Sequence, residues 1–502
     1  MKKIILLSAF ISFSVTSAQS SWQKLFGGSE DDVALSIQNT TDGGYIIAGY
    51  SESNDGDVTG NNGYYDYWVL KLDSSGTFQW QKSLGGSYGD YARDIRQTTD
   101  GGYIIAGGSG SFDGDVSENH GEMDYWIVKL DENGSIQWER SLPGRGYDDE
   151  AYSIQQTTDG GYIVAGYSES NDGNYDWDYG IVKLDENGSI QWQKFIGGSG
   201  NDSARSVQQT SDGGYIIAGN SNSNDGDVTE NHGDDDYWIV KLDGIGSIQW
   251  QKSYGGSGHD GASSIRQTTD GGYIVVGESR SNDVDVVGNH GYADFWIVKI
   301  DSIGSIQWQK SLGGSQWDRA RDVQQTTDGG YIITGSSNSN DGDLDGGYRF
   351  SDNYWIVKLN ENGIIQWQNS LDRNNSEYAT SVQQTTDGGY IVAGRAFADG
   401  DDDPEHHGRN DYWVVKLSAD GTMGMLESQS SNIKLYPNPV KDVLHFSEEV
   451  SNIKISDVSG RMVKEISVSG KSVDVSGLAK GIYMITATSK SGKVVSEKFI
   501  KE

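Results

Sequence analysis

The tetrapeptide Asp-Gly-Gly-Tyr occurs seven times, starting at Asp42, Asp100, Asp159, Asp212, Asp270, Asp328 and Asp387, with spacings of 58, 59, 53, 58, 58 and 59 residues. Self-similarity at such a period means that one supersecondary unit is built seven times, each burying its apolar faces against its neighbours. The same segments, with small variations, run between these marks: I-Q-Q-T-T before D-G-G, Y-I-I-A-G after it, then D-Y-W-I-V-K-L-D and S-I-Q-W-Q-K-S-L. All have strand length, are rich in Ile, Val, Tyr, Trp and Thr, and are bounded by Gly, Asn, Asp and Ser without a sustained helical period. Each repeat therefore reads as four strands, A to D. In Tyr67-Trp68-Val69-Leu70-Lys71-Leu72 both parities are largely apolar, as expected of a sheet covered on both faces.

Seven such sheets predict an all-β fold, a seven-bladed β-propeller. A β-solenoid competes, but its coils are usually shorter and lack hairpin turns. Asp-Gly joins A to B tightly, and D-E-N-G (Asp131 to Gly134) joins C to D, so the longer B–C and D–A connections share the opposite face of the disc. The chain opens with a D-like strand, Ser21-Trp22-Gln23-Lys24-Leu25, and the last repeat stops near Lys416-Leu417 without a D strand. The N-terminal strand should complete the last blade and hide two sheet edges.

The 502 residues include no cysteine and carry a net charge of −35. Disulfides, thiolate metal sites, cysteine nucleophiles, a C-x-x-C-H haem attachment and an acylated lipoprotein cysteine are thereby excluded. From Glu427 onward 11 Lys/Arg stand against 9 Asp/Glu, so the acidic excess belongs to the repeats. That field repels nucleic acid and anionic lipid and favours cations or basic partners. Lys2 and Lys3, an apolar run from Ile4 to about Val15 and Thr16-Ser17-Ala18 read as a signal peptide, residues 1–18, with an uncleaved anchor as the alternative. No later segment approaches 18 apolar residues, so no transmembrane segment is expected. The propeller is expected to be monomeric.

The repeat ends after Met423, and residues 425–432 read as a linker. This divides the chain into a propeller at 19–424 and a second domain at 433–502. The latter reads as the alternating strands and tight turns of a small Ig-like β-sandwich. Its Tyr436-Pro437-Asn438-Pro439, Asp457-Val458-Ser459-Gly460-Arg461, Leu478 to Tyr483 and lysine-containing end closely resemble the type A C-terminal sorting domain of the type IX secretion system of Bacteroidota. Pro437, Asn438, Pro439, Gly460, Arg461, Gly481 and Tyr483 carry the match. The resemblance implies Sec export to the periplasm, passage of the outer membrane in contact with the type IX machinery, and either release or attachment to surface lipopolysaccharide. A generic Ig-like adhesive module is the alternative. The segment V-K-L-D-x-x-G-x-x-x-W, as in Val128 to Trp138, resembles the tryptophan-docking stretch of quinoprotein-like propellers, one residue shorter in the turn. That likeness covers roughly residues 21 to 421. The quinone-binding features of those enzymes, adjacent cysteines included, have no counterpart, and nothing points to quinone, haem or nucleotide.

The B–C loops repeat N-D-G-D-V-x-x-N-H-G, giving Asp55, Asp57 and Asp66 in the first, Asp225, Asp227 and Asp236 in the fourth, and Asp283, Asp285 and Asp294 in the fifth. Hard oxygen donors in Gly-bearing loops make calcium the candidate metal, although Asx turns account for the same residues. The D–A loops add Asp32, Asp90, Asp148, Asp202, Asp260, Asp318 and Glu377 at one register, expected on the ligand face. His120, His232, His290 and His407 share one loop position and read as scaffolding. Departures from symmetry mark further candidates: Trp177 with Gly180 in the short third loop, Trp317, Tyr348-Arg349-Phe350, and Asp401-Asp402-Asp403-Pro404.

These features predict a secreted or surface-held, non-catalytic protein whose acidic loop face binds a glycan, a protein or a cation. An extracellular carbohydrate-active enzyme, glycoside hydrolase-like, is the alternative, and a structural surface-layer component the third reading. No carboxylate pair of the kind a glycosidase needs stands out, and no phosphate loop, zincin helix or nucleophile elbow is present.

Overall fold

The computed structural model describes residues 21–170, 176–344, 351–373, 375–397, 407–423, 435–457, 462–466, 469–489 and 494–502. The expected signal peptide and linker lie outside them. The chain divides into two compact units, with the boundary between Met423 and Gly424.

The first unit is the predicted seven-bladed β-propeller, with no helix among the described residues. Blade one consists of strand A (Asp32–Asn39), B (Tyr45–Ser51), C (Asp66–Leu72) and D (Phe78–Leu84), antiparallel in that order. Five further blades repeat it, their A strands beginning at Asp90, Asp149, Asp202, Asp260 and Asp318. The seventh takes A, B and C from Glu377–Gln384, Tyr390–Phe397 and Asn410–Leu417. Its fourth strand is N-terminal, Trp22–Phe26, pairing Trp22 with Lys416 through Phe26 with Tyr412. The ring therefore closes as the sequence predicts.

Every residue of the first C strand is buried, because Val69 and Tyr67 face one neighbour while Trp68 and Leu70 face the other. This is why the strand shows no polar parity. Tyr67 donates its hydroxyl to Trp126 O of the next blade at 2.9 Å, and Tyr412 closes the circle onto Trp68 O at 2.9 Å. Each V-K-L lysine is almost fully buried and reaches the Asp of its own Asp-Gly-Gly turn at 2.8–3.0 Å, from Lys71–Asp42 to Lys416–Asp387. The two most regular motifs of the repeat are thus one contact, holding the A–B turn to strand C.

The W-Q tryptophans lie across the C–D turn of the following blade. A side chain on Gly76 would meet Trp22 Cη2 at 2.7 Å, and one on Gly134 would meet Trp80. Both glycines also have positive φ, 73° and 79°, which a side chain would strain. Trp22 also meets Tyr45 edge-on at 5.9 Å.

The second unit is a six-stranded antiparallel sheet. The long strand Val443–Asp457 pairs with Leu435–Tyr436, Met462–Ile466, Gly470–Asp474 and Gly481–Ser489, and the last of these pairs with Val494–Lys501. Leu444, Phe446, Ile453, Ile455, Ile485 and Phe499 form its core.

Candidate binding site: an axial cavity lined by arginines

Strand A lines the propeller axis, and in all seven blades its register slips by one residue. In blade one the slip falls between Ala34 and Ser36, opposite Gly49 and Ala48, and equivalent slips recur in the other six. Such a bulge re-aims the extra side chain. A Cβ on Gly49 would lie 1.9 Å from Val33 O, which explains the glycine that ends every Y-I-I-A-G. The bulged residues are Leu35, Arg93, Tyr152, Arg205, Ser263, Arg321 and Thr380. Their neighbours barely vary between repeats, but these positions do, so the symmetric scaffold carries an asymmetric lining.

Above the bulges, toward the B–C and D–A loops, lies a cavity of about 510 Å³. Arg93, Arg205, Arg321, Arg395 and His259 line it against one acidic side chain, Glu278. The Asp235 carboxylate, 2.7 Å from Nδ1, and Glu278 push His259 up to about 9. Burial opposes ionisation of Glu278, but His259 and the nearby Arg319, Arg321 and Arg280 hold it at about 2. His259 and Glu278 are therefore both charged at neutral pH. Arg93 is matched by Glu150 at 2.7 Å. Arg205 instead lies 4.0 Å over Tyr152 and Arg395 4.5 Å over Tyr378, with no carboxylate within ion-pair distance among the described residues. A cluster of Tyr50, Tyr65 and Tyr91, ring centroids 5.1–5.4 Å apart, stands beside the cavity.

The acids predicted for the loop face lie elsewhere. Asp32, Asp90, Asp202, Asp260, Asp318 and Glu377 begin their A strands fully buried and do not face solvent. Asp32 accepts from Gly28 N at 2.7 Å and Ser53 Oγ at 3.0 Å. This corrects their assignment to a ligand face: a Gly-Gly-Ser loop folds over each of the five aspartates, and Glu377 accepts from Asn375 N at 3.3 Å. In the third blade Asp149, not Asp148, holds this register, opposite Ser168 as Asp32 is opposite Ser51. The preceding loop carries one extra residue between Gly144 and Asp149, so Gly144 N reaches a carboxylate five residues on, where Gly86 N reaches one four residues on. Asp148 instead accepts from Tyr167 Oη at 3.2 Å.

Nor do the three acids of one B–C loop converge. Asp55 and Asp57 turn back to the preceding junction, taking Ser29 N at 2.7 Å and Gly27 N at 3.4 Å, whereas Asp66 caps the following one from strand C. Asp225 and Asp227 divide from Asp236 in the same way, and Asp283 and Asp285 from Asp294. No group of three or more His, Asp or Glu side chains arranged around a metal position occurs among the described residues. His120, His232, His290 and His407 each set Nδ1 2.7–3.4 Å from the strand-C aspartate four residues on.

Trp317 is flanked by Arg280 at 4.7 Å and Arg319 at 4.5 Å and stacks parallel to the exposed Tyr292 at 5.9 Å. Trp177 packs on Tyr167 of its own blade at 4.7 Å, and that blade is not the one that holds Trp317. Gly180 makes room for the Tyr125 hydroxyl, which donates to its carbonyl at 3.0 Å. Tyr348, Arg349, Phe350 and Asp401–Pro404 lie outside the described residues. In the second unit Asn438 bridges to the last strand, donating to Lys498 O at 3.0 Å and accepting from Ile500 N at 2.9 Å, between Pro437 and Pro439. Tyr483 Oη donates to Ala479 O at 2.9 Å, and Gly481 opens that strand. Gly460 and Arg461 lie outside the described residues.

Residues 434–502 match the family model described as "Secretion system C-terminal sorting domain". The second unit is a type IX secretion sorting domain. The chain is therefore exported through that system, to the cell surface or beyond, and its sorting domain engages the export machinery. No helix among the described residues is long and apolar enough to cross a membrane. No curated protein sequence matches the chain. Among solved structures the chain is similar to PorZ, a surface component of the type IX secretion system of Porphyromonas gingivalis, at 13% identity and TM-score 0.35, covering 94% of this chain and 70% of that one. It is also similar to BamB of Moraxella catarrhalis, at 13% identity and TM-score 0.38, covering 78% and 85%. A Dyadobacter fermentans protein of unknown function gives 11% identity and TM-score 0.44, covering 79% and 97%.

Proposed function

We propose that the exported chain is a non-catalytic binding protein whose axial cavity takes an acidic glycan. One observation carries this reading: four arginines and a protonated histidine gather in a cavity of about 510 Å³ at the centre of a protein whose net charge is −35. Guanidinium groups recognise carboxylate and sulfate by charge-assisted, often bidentate hydrogen bonds, and tyrosine rings offer flat apolar faces to sugar. The net charge of −35 repels anions at long range, so the ligand is selected by fit to the arginines rather than by bulk charge. An enzymatic reading finds less support, because a glycosidase needs two carboxylates around the scissile bond and Glu278, the cavity's acidic side chain, is held ionised by its cationic neighbours.

Titration calorimetry with oligogalacturonates against neutral oligosaccharides of equal length tests the proposal. Binding of the acidic series is expected, weakening with salt and falling about tenfold or more in Arg205→Ala, as for loss of one charge-assisted pair of roughly 1.5 kcal/mol or more. Equal binding of neutral and acidic sugars, or an unaffected Arg205→Ala, refutes it. Release of shorter products, abolished by one carboxylate substitution, would establish the enzymatic reading instead.

A further inference from the structure

Three blade junctions, around Gly85, Gly255 and Gly313, share an arrangement the hydrogen bonding leaves incomplete. At each, the first aspartate of a C strand and the first aspartate of the next A strand meet over the first glycine of the D–A loop. A Cβ on Gly85 would lie 2.6 Å from Asp66 Oδ1 and 2.4 Å from Asp90 Oδ2. The corresponding distances are 2.2 and 2.7 Å at Gly255, from Asp236 and Asp260, and 2.8 and 2.5 Å at Gly313, from Asp294 and Asp318. All six aspartates are fully buried, and the Oδ1 of every one is without a hydrogen-bond partner. Two further carboxylates reach each loop from the next B–C connection, as Asp113 does at Ser87 N (2.7 Å) and Asp115 at Gly85 N (3.2 Å). At Gly255 and Gly313 one histidine, His232 or His290, faces this group of carboxylates, and at Gly85 none does; so many buried acids are strongly unfavourable without a further counter-charge.

The repeats themselves show what the counter-charge replaces. In the last D–A loop Arg373 stands in place of the second glycine, and there the strand-C aspartate is Asn353. Near Gly197, Arg145 forms an ion pair with Asp178. Where the protein supplies a guanidinium it drops a carboxylate or pairs it. At Gly85 it supplies none, and even the histidine of the other loops is Asn62.

We propose that the paired aspartates at the Gly85, Gly255 and Gly313 junctions each hold a hard divalent cation, calcium by donor type, which ties one blade to the next. Each orphan Oδ1 becomes a ligand, and backbone carbonyls and water complete a shell of six to eight oxygens that needs no third acidic side chain. The sites differ from the single-loop acid sets the sequence suggests, since each draws one ligand from each of two blades.

The test uses the full chain after chelator treatment, with calcium alone and terbium, sensitised by the protein's tryptophans, as probes. Calorimetry is expected to give about three calcium sites filling at or below about 1 mM, within the range of extracellular modules, and calcium is expected to raise Tm. Asp66→Asn keeps an acceptor for Asn62 N and should lower the stoichiometry by one. Asp90→Asn should do the same, with an unchanged circular dichroism spectrum in both. Absence of calcium heat and of terbium luminescence overturns the proposal. So does full stoichiometry in both variants, which would put the cation elsewhere. Neither outcome touches the glycan reading, whose site lies at the axis.

Discussion

In the cation-free protein, Asp66→Asn should stabilise the propeller at pH 8, although it replaces a fully buried residue. Burial, reinforced by the charges of Asp90 and Asp115, outweighs the Asn62 amide and pushes the Asp66 carboxyl up to about 7. Asp90 is likewise raised, to about 6. An unfolded aspartate loses its proton near 3.9. Between about pH 4 and 7 the native state therefore holds a proton that the unfolded state has lost, and stability falls as pH rises, by about 1.4 kcal/mol per pH unit for each retained proton. Above about pH 7 the loss is complete. For Asp66 three units correspond to at most about 4 kcal/mol, and burying the Asn amide offsets part, leaving an expected gain of about 1–3 kcal/mol. Urea unfolding followed by tryptophan fluorescence in chelator, at pH 5 and pH 8, measures both quantities. Asp66→Asn should lie above the parent at pH 8, near it at pH 5, and have the shallower pH dependence. A variant less stable than the parent at pH 8, or an unchanged pH slope, would refute the argument that the pair repels.

Removing the ring-closing hydrogen bond with Tyr412→Phe should cost about 1 kcal/mol in urea unfolding, because blade five already carries Phe295 at the equivalent position, packed on Trp355 at 4.4 Å; failure to fold would contradict this. Trp22→Ala should cost about 2 kcal/mol, below the 3–5 expected for a fully buried tryptophan, since Trp22 is half-buried on Gly76 and Tyr45; unaltered melting would mean that the closing strand does not hold the ring. His259→Gln should weaken acidic-oligosaccharide binding at pH 7, and in the parent the affinity should fall as pH rises through about 9, where His259 loses its charge; a flat calorimetric profile from pH 7 to 10 would exclude the histidine from the site.

Much of the fold is written locally. The Asp-Gly turns, the doubly apolar C strand and the missing last D strand together fix blade number, strand order and closure, because turn chemistry and strand periodicity act within a few residues. The site is less legible for two physical reasons. Arg205 and Arg321 sit in strands that look regular, and only the slip after Ala204 and Ala320 turns them toward the axis. The signal lay in the contrast between repeats, where the residue after the alanine changes and its neighbours hardly do. The acids mislead differently: spacing along a loop does not say whether Asp57 turns back toward Gly27 or onward with Asp66. In the third loop one extra residue after Gly144 moves the buried carboxylate from Asp148 to Asp149, a one-residue change without a local signature.

The hydrogen bond from Trp413 Nε1 to Gln23 Oε1 joins residues 390 apart in sequence. Six blades are contiguous stretches of chain, whereas the seventh is assembled from both ends of the propeller sequence. Loss of either end would therefore leave a bare sheet edge at the seam instead of one shorter blade.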